Sequence, residues 1–329
     1  MTIIYHEKDA NPLILSGKTI GVLGYNKLAR SFALNMRDSG VMVIVGCDEN
    51  EQANARIDGF DSKSISTVTK QADVIMLLLP DELVTNVYME SISPGLRRDH
   101  TLIFASAYSI AFGFIEPPPF VDVGLVAPRS AGDTMRKNYQ EGKGFLSFVA
   151  VGQDASHGAW DTVLATAHAI GSLKFGAVEV SMEQEAELSL FVQQAVLPAL
   201  HHIIVASARL LMQQGYPPEA ALQDLYLSGK FSDYMQQVAS NGLLHALQQT
   251  TLTGQYGIFS RVDRFNELKL ERLMEVALDE IRAGEFAQEW AQEYADNHPR
   301  LDKLRRQQES LDLWELEQQT LEFFESDEK

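Results

Sequence analysis

The side chains suited to chemistry fall into two groups. The first is a short turn, Gly24-Tyr25-Asn26-Lys27-Leu28-Ala29, between the apolar run Thr19–Leu23 and a helical segment over about 27–38. Such a turn offers backbone N–H groups at a helix start, where amides and helix dipole together hold a pyrophosphate. The G-x-G-x-x-G/A pattern is met at Gly24 and Ala29, but Asn26 replaces the middle glycine that normally lets backbone approach the phosphate. Asn tolerates unusual backbone angles, so the turn is expected to survive with a side chain crowding the phosphate. The next apolar run ends in Gly46-Cys47-Asp48-Glu49-Asn50-Glu51, with no Lys or Arg between Val45 and Ala55. An acid at this strand end bonds the adenosine ribose and repels a 2′-phosphate. NADH is therefore expected over NADPH, with Asp48 as the ribose ligand; solvated loop acids are the alternative.

The second group lies on the helical stretch Glu185-Ala186-Glu187-Leu188-Ser189-Leu190-Phe191-Val192-Gln193. Ser189 and Gln193 are four residues apart and share a face. A hydroxyl and an amide are poor ligands for Mg²⁺, which needs anionic oxygens. Glu185 and Glu187, one turn earlier, are either the remaining acids of a site or an exposed helix start. Arg129 carries a planar fork that binds a carboxylate or phosphate through two bonds, or else serves a structural ion pair. Tyr108 is a proton donor or a packed aromatic. His201 and His202 diverge by about 100° on a helix, so they do not readily share one ion.

These residues need a scaffold, and the chain is long enough for two domains: 329 residues, 45% hydrophobic. Apolar runs at Thr19–Leu23, Val41–Val45, Asp73–Leu79, Thr101–Phe104, Val123–Val126 and Phe148–Val151 alternate with helical segments. Continuous rather than alternating apolar runs suit a parallel sheet covered on both faces, a doubly wound α/β domain. Strand signals stop at Ser181, where Ser181-Met182-Glu183-Gln184 has capping-box spacing and opens a helix to about Gln214, ended by Gly215-Tyr216-Pro217-Pro218. Further helices are expected over about 263–283 and 285–295. The division is an α/β domain, 1–181, and an all-α domain, 182–329.

A net charge of −18 argues against nucleic acid and anionic membranes as partners. Its acidic C-terminal run (Glu315 to Glu328) reads as a solvated helix. The single Cys47 excludes an internal disulfide and fits a reducing compartment. No apolar run reads as long enough to span a membrane and the N-terminus has no signal-peptide pattern, so a cytoplasmic protein is expected.

In order and spacing the chain resembles the ketol-acid reductoisomerase family in its short bacterial form. The resemblance rests on Gly17-Lys18-Thr19 with Gly24-Tyr25, Leu34 to Gly40, Leu78-Leu79-Pro80-Asp81-Glu82, Val126-Ala127-Pro128, Gln153 to Ser156, Gln194 to Leu197, Gly284 to Trp290 and Leu304-Arg305-Arg306. It implies a Rossmann domain, a knotted helical domain through which subunits pair, and NAD(P)H with two Mg²⁺. Cofactor contacts are implied at Gly24, Tyr25, Asn26, Lys27, Leu28, Leu79, Pro80 and Asp81. The family's F-A-H-G-F-N-I-H-F-G matches Phe104 to Gly113 and places Ser106 at the catalytic His. Its A-P-K-G-P-G matches Ala127 to Gly132 and places Arg129 at the active-site Lys. Ser189 and Gln193 replace an Asp and a Glu that hold metal; Asp224 and Ser228 replace two Glu, and Asp224 would reach the site from the partner subunit.

One carboxylate among four ligand positions does not hold two Mg²⁺, and the isomerase step needs them as Lewis acids. The expected function is therefore a metal-independent, NAD(P)H-dependent reductase acting on a small, anionic C=N, C=C or C=O substrate. It would be a homodimer serving a specialised small-molecule pathway. Catalysis is expected from Arg129, Tyr108, Ser106 and Asp224, and substrate binding from Glu185, Ser189, Gln193 and Ser228. The alternatives are a divergent Mg²⁺-dependent ketol-acid reductoisomerase and a non-catalytic dinucleotide-binding protein.

Overall fold

The structure, a computed structural model, describes residues 2–265 and 269–325. The chain divides into two compact units, Met1–Ser189 and Leu190–Lys329.

In the first unit the strands are β1 (Ile4–Tyr5), β2 (Thr19–Leu23), β3 (Met42–Gly46), β4 (Asp61–Lys63), β5 (Val74–Leu77), β6 (Thr101–Phe104), β7 (Asp122–Pro128), β8 (Leu146–Gln153) and β9 (Gly176–Glu179). They form one sheet in the order β1-β9-β8-β7-β6-β5-β2-β3-β4. The helices are α1 (Lys27–Asp38), α2 (Glu49–Ile57), α3 (Ile65–Gln71), α4 (Asp81–Val87), α5 (Tyr108–Ala111), α6 (Gly132–Gln140), α7 (Ala159–Ala169) and α8 (Met182–Phe191). The apolar runs are continuous because successive residues feed two cores. Ile20, Val22, Val74 and Met76 pack on one face, and Ile75, Leu77, Leu102 and Phe104 on the other.

The expected parallel sheet holds from β4 through β7. Beyond it, β8 pairs antiparallel with β7, with a register shift at Val123/Gly124. A fully apolar run encodes burial, not direction. The expected strand series also omitted β1, β4 and β9. β1, Ile-Tyr, is too short to give a run, and β4 reads Asp-Ser-Lys, which carries no apolar signal.

After β2 the chain builds β3 and β4 on one side, then crosses to β5 on the other. In doubly wound sheets the crevice at that switch point, outside the strands' carboxyl ends, receives the ligand. Gly24, Asp48, Asp81, Ser106 and Arg129 follow the carboxyl ends of β2, β3, β5, β6 and β7.

The capping box forms as read. Ser181 Oγ accepts from Gln184 N (3.2 Å) and Gln184 Oε1 accepts from Ser181 N (2.9 Å). The helix continues through a π turn, Val192–Val196, into α9 (Leu197–Gln213), and Gly215 follows in a left-handed conformation (φ 88°). Contrary to the sequence expectation, this stretch from Met182 to Gln213 (32 residues) is apolar enough to cross a membrane. An 18-residue window reaches a mean hydropathy of 1.6 and is 11% buried.

The second unit continues with α10 (Pro218–Leu222), a π turn (Gln223–Leu227), α11 (Lys230–Asn241), α12 (Leu243–Gln248), α13 (Leu252–Phe259), α14 (Leu270–Arg282), α15 (Glu285–Ala295), α16 (Pro299–Glu309) and α17 (Asp312–Glu325). Of the helix expected over 263–283, residues 266–268 lie outside the described residues, as do Asp327 and Glu328 of the acidic run. Val205, Ala208, Leu222 and Leu313 form a small core.

Candidate functional site

The glycine-rich turn keeps its shape by a different device from the one expected. Gly24 is the left-handed residue (φ 89°), and a Cβ there would meet Leu78 O at 3.0 Å. Asn26 has ordinary extended angles (φ −69°, ψ 177°) and acts as the N-cap of α1. Its Oδ1 accepts from Leu28 N and Ala29 N (both 3.0 Å), and its Nδ2 donates to Leu78 O (2.8 Å). The side chain thus folds onto the helix end and ties β2's loop to β5's. Two amides that a pyrophosphate would use are engaged by Asn26, which leaves Lys27 N–H and the exposed Lys27 ammonium, 3.4 Å from Asp133.

The acids after β3 also differ from expectation. Asp48, the expected ribose ligand, is the N-cap of α2, its Oδ1 accepting from Glu51 N (2.9 Å). Glu51, one turn into α2, reaches back to the turn after β2 and accepts from Tyr25 N (3.1 Å). Burial pushes the Glu51 carboxyl above its usual range; the Tyr25 bond opposes this and Asp48's charge adds to it. In sequence Glu51 is distinguished only as a member of the acidic stretch Asp48-Glu49-Asn50-Glu51. Its position three residues after a capping acid was the available signal. Tyr25 itself is buried, its hydroxyl donating to Asp58 (2.8 Å).

Beyond the switch point, a cavity of about 160 Å³ opens at the ends of β5 and β6. Asn26, Leu79, Pro80, Asp81 and Ser106 are among its lining residues. Asp81 is exposed as a residue, at the rim, but its carboxyl is hydrogen-bonded to Ser106 among protein atoms. Loss of water raises its pKa to about 6; the Ser106 bond opposes this, and repulsion from Glu185 and then Glu82 adds to it. Tyr108 is buried against Phe112 and Phe114 (ring centroids 5.2 and 5.7 Å), with its hydroxyl buried and unpartnered. Burial and then Asp81's charge push that hydroxyl up to about 12.

Arg129 and Glu185, separate candidates in the sequence, form one unit. Arg129 Nη2 donates to Glu185 Oε1 (2.7 Å), Nη1 to Ser189 Oγ (3.0 Å) and Nε to Ala127 O (3.2 Å). The guanidinium lies 4.7 Å from the centre of the Phe148 ring. Glu185 is 1% exposed; Ser189 Oγ donates to its Oε1 (2.8 Å) and Ala107 N to its Oε2 (2.7 Å). Both carboxylate oxygens are therefore engaged, and Glu185 pins the loop after β6 that carries Ser106. Its burial excludes the alternative of an exposed helix start, and its carboxylate, expected to bind substrate, is instead taken up by Arg129, Ser189 and Ala107. Of five guanidinium N–H groups three are used here, so each Nη keeps one for a ligand.

Gln193, Asp224 and Ser228 belong to the second unit, where all three are exposed. Gln193 and Asp224 each lie in a π turn. Asp224 pairs with Lys230 (3.1 Å). As a Mg²⁺ donor set, Ser189, Gln193, Asp224 and Ser228 do not fit: one carboxylate, already beside an ammonium, stands among neutral groups. Among the described residues, no three His, Cys, Asp or Glu side chains gather as a metal site.

Two family descriptions cover the chain. "Acetohydroxy acid isomeroreductase, NADPH-binding domain" matches residues 14–176, and "Ketol-acid reductoisomerase, C-terminal domain" matches residues 182–325. The protein belongs to the ketol-acid reductoisomerase family. An NADH-preferring ketol-acid reductoisomerase from an uncultured archaean is 31% identical, covers 97% of this chain and 98% of its own, and superposes with a TM-score of 0.91. An NAD-binding semialdehyde dehydrogenase protein from Cupriavidus necator (17% identity, 81% of this chain and 99% of its own, TM-score 0.59) shares the fold alone. Membership makes the first unit a nicotinamide-dependent oxidoreductase scaffold. The cradle at Gly24 and the crevice at β2, β5 and β6 fit such a cofactor.

Proposed function

We propose that this ketol-acid reductoisomerase relative is a metal-independent, cytoplasmic reductase of a specialised small-molecule pathway. It uses NADH in preference to NADPH to reduce a small anionic substrate at a C=N, C=C or C=O bond. The observation that carries this reading is the Arg129 guanidinium on Glu185 and Ser189. A fixed cation that engages the buried carboxylate disfavours a divalent ion beside it. The same fork offers two N–H groups to a substrate carboxylate.

When bound, the dinucleotide supplies a hydride to the substrate's electrophilic carbon. The chain's own groups orient and protonate. Arg129 holds the anionic end, and Glu185 fixes both Arg129 and the Ser106 loop. Asp81 passes a proton through the Ser106 hydroxyl to the atom that receives the π electrons, and recovers one from water at the exposed rim.

Acetolactate and a panel of 2-imino acids, made from 2-oxo acids and ammonia, would be offered to the protein with NADH, in Mg²⁺ and in EDTA. NADH oxidation is expected with a member of the imine panel and is expected to be equal in both media. Mg²⁺-dependent conversion of acetolactate sinks the proposal. Calorimetric titration with Mg²⁺ is expected to show no stoichiometric uptake.

The second unit also bears on the quaternary reading. Val192, Val196, Leu197, Ile203 and Leu210 are exposed along the apolar helix. We assign that face to a second copy of the chain, which predicts a dimer by light scattering. Monomers that float with liposomes would replace the dimer with a membrane contact.

A further inference from the structure

We propose that Glu51, rather than the strand-end acid Asp48, is the adenosine-ribose ligand and the residue that discriminates NADH from NADPH. The inference rests on the dinucleotide reading above and assigns the acid that decides it.

Three observations carry the assignment. Asp48 serves helix α2, its Oδ1 capping Glu51 N at the helix start, and among the described residues no hydrogen bond ties it to the turn after β2. Glu51 instead crosses from α2 to the turn after β2, where its Oε2 accepts from Tyr25 N (3.1 Å). β2 and β3 lie side by side with their carboxyl ends in register, Leu23 opposite Gly46, and Gly24 N donates to Gly46 O (2.8 Å). The adenosine half of a dinucleotide lies over these two strand ends, because the cavity lined by Asp81 and Ser106 lies past the switch point, over β5 and β6. A carboxylate held by one oxygen over that junction has its other oxygen available to a ribose hydroxyl.

The same carboxylate excludes a 2′-phosphate. It would face the phosphate at close range in a half-buried setting, where like charges are poorly screened. The neighbouring cations have other partners. Arg30 pairs with Asp58 (2.6 Å), Arg56 donates to Gln52 and Ser62 (2.8 and 3.2 Å), and Lys63 pairs with Asp61 (2.8 Å). None of these pairs is directed at the Tyr25–Glu51 junction.

The test is direct binding of NADH and NADPH, followed by nicotinamide fluorescence, to the wild-type full chain, E51Q and D48N. E51Q retains an acceptor for Tyr25 N, and D48N retains an Asn cap for α2, so both variants preserve the local fold; circular dichroism checks this. E51Q is expected to lower the preference for NADH by about tenfold or more, through weaker NADH and tighter NADPH binding. D48N is expected to move it less. A ratio in E51Q within threefold of wild type overturns the assignment, as does a larger shift in D48N than in E51Q. If the wild-type chain binds neither dinucleotide, the dinucleotide reading fails first.

Discussion

Replacing Arg129 with Met is expected to destabilise the first unit by about 3–5 kcal/mol, the cost of leaving a buried carboxylate without its cation. For a unit of this size that is a fall in melting temperature on the order of 10 °C. The size follows from Glu185 rather than from Arg129. The Glu185 side chain is 2% exposed, so its charge cannot be rehydrated, while Arg129 is 26% exposed and retains some access to water. The opposite truncation, E185Q, should therefore cost less, about 1–2 kcal/mol, because an amide still accepts from Ala107 N. R129M/E185Q together should be more stable than R129M alone, since the buried charge has then been removed. Urea unfolding of the four proteins measures all of this. An R129M protein within 1 kcal/mol of wild type would mean that the Arg129–Glu185 pair contributes little to stability, and the fixed-cation reading of the site would go with it.

That coupling explains which parts of the site were legible in the sequence. Arg129 and Glu185 each stood out by residue type, but they lie 56 residues apart and their pairing depends on how β7 and α8 meet. Local spacing carries no information of that kind. The Ser181 capping box, a three-residue relation, was fully readable for the same reason. In sequence Asn26 stands as an intruder in a glycine position; its use as a cap depends on ψ 177°, which the residue type does not dictate. Glu51 was hidden by its neighbours, because Asp48, Glu49 and Glu51 are interchangeable until helix α2 starts and assigns one of them to its own amides. The antiparallel turn into β8 was illegible because apolar runs report burial on two faces and are silent about direction.

The fold and the replaced residues bear on function in different ways. The scaffold, including the strand-end crevice, is that of the ketol-acid reductoisomerase family across nearly the whole chain. The charge inside the crevice is not what two Mg²⁺ require. Arg129 and Glu185 form a closed pair, and that pair lies beside Ser106 through the Ala107 amide. On the proposed function, the reaction carried out there needs a hydride, an anchored anion and a proton rather than a pair of Lewis acids.

The proton requirement makes the last prediction. Asp81 acts as an acid only when protonated, so the rate of substrate reduction should be flat below its pKa and fall about tenfold per pH unit above it. With that pKa raised to about 6, the fall begins near pH 6, in a range where an ordinary aspartate would already be ionised. The neighbours fix the direction of two further shifts. Ser106 donates to the ionised carboxylate and so stabilises it; S106A should move the fall to higher pH while also slowing the proton transfer. Glu82 and Glu185 repel the ionised form, so E82Q should move the fall to lower pH. D81N should remove the limb altogether and lower the rate by roughly 10²–10⁴-fold. The measurement is a pH profile of NADH oxidation with whichever imine proves active, alongside NADH affinity at each pH to separate proton transfer from binding. A limb that persists in D81N would assign the proton to another group; were that Tyr108, a hydroxyl pushed up to about 12 would place its fall far to the alkaline side.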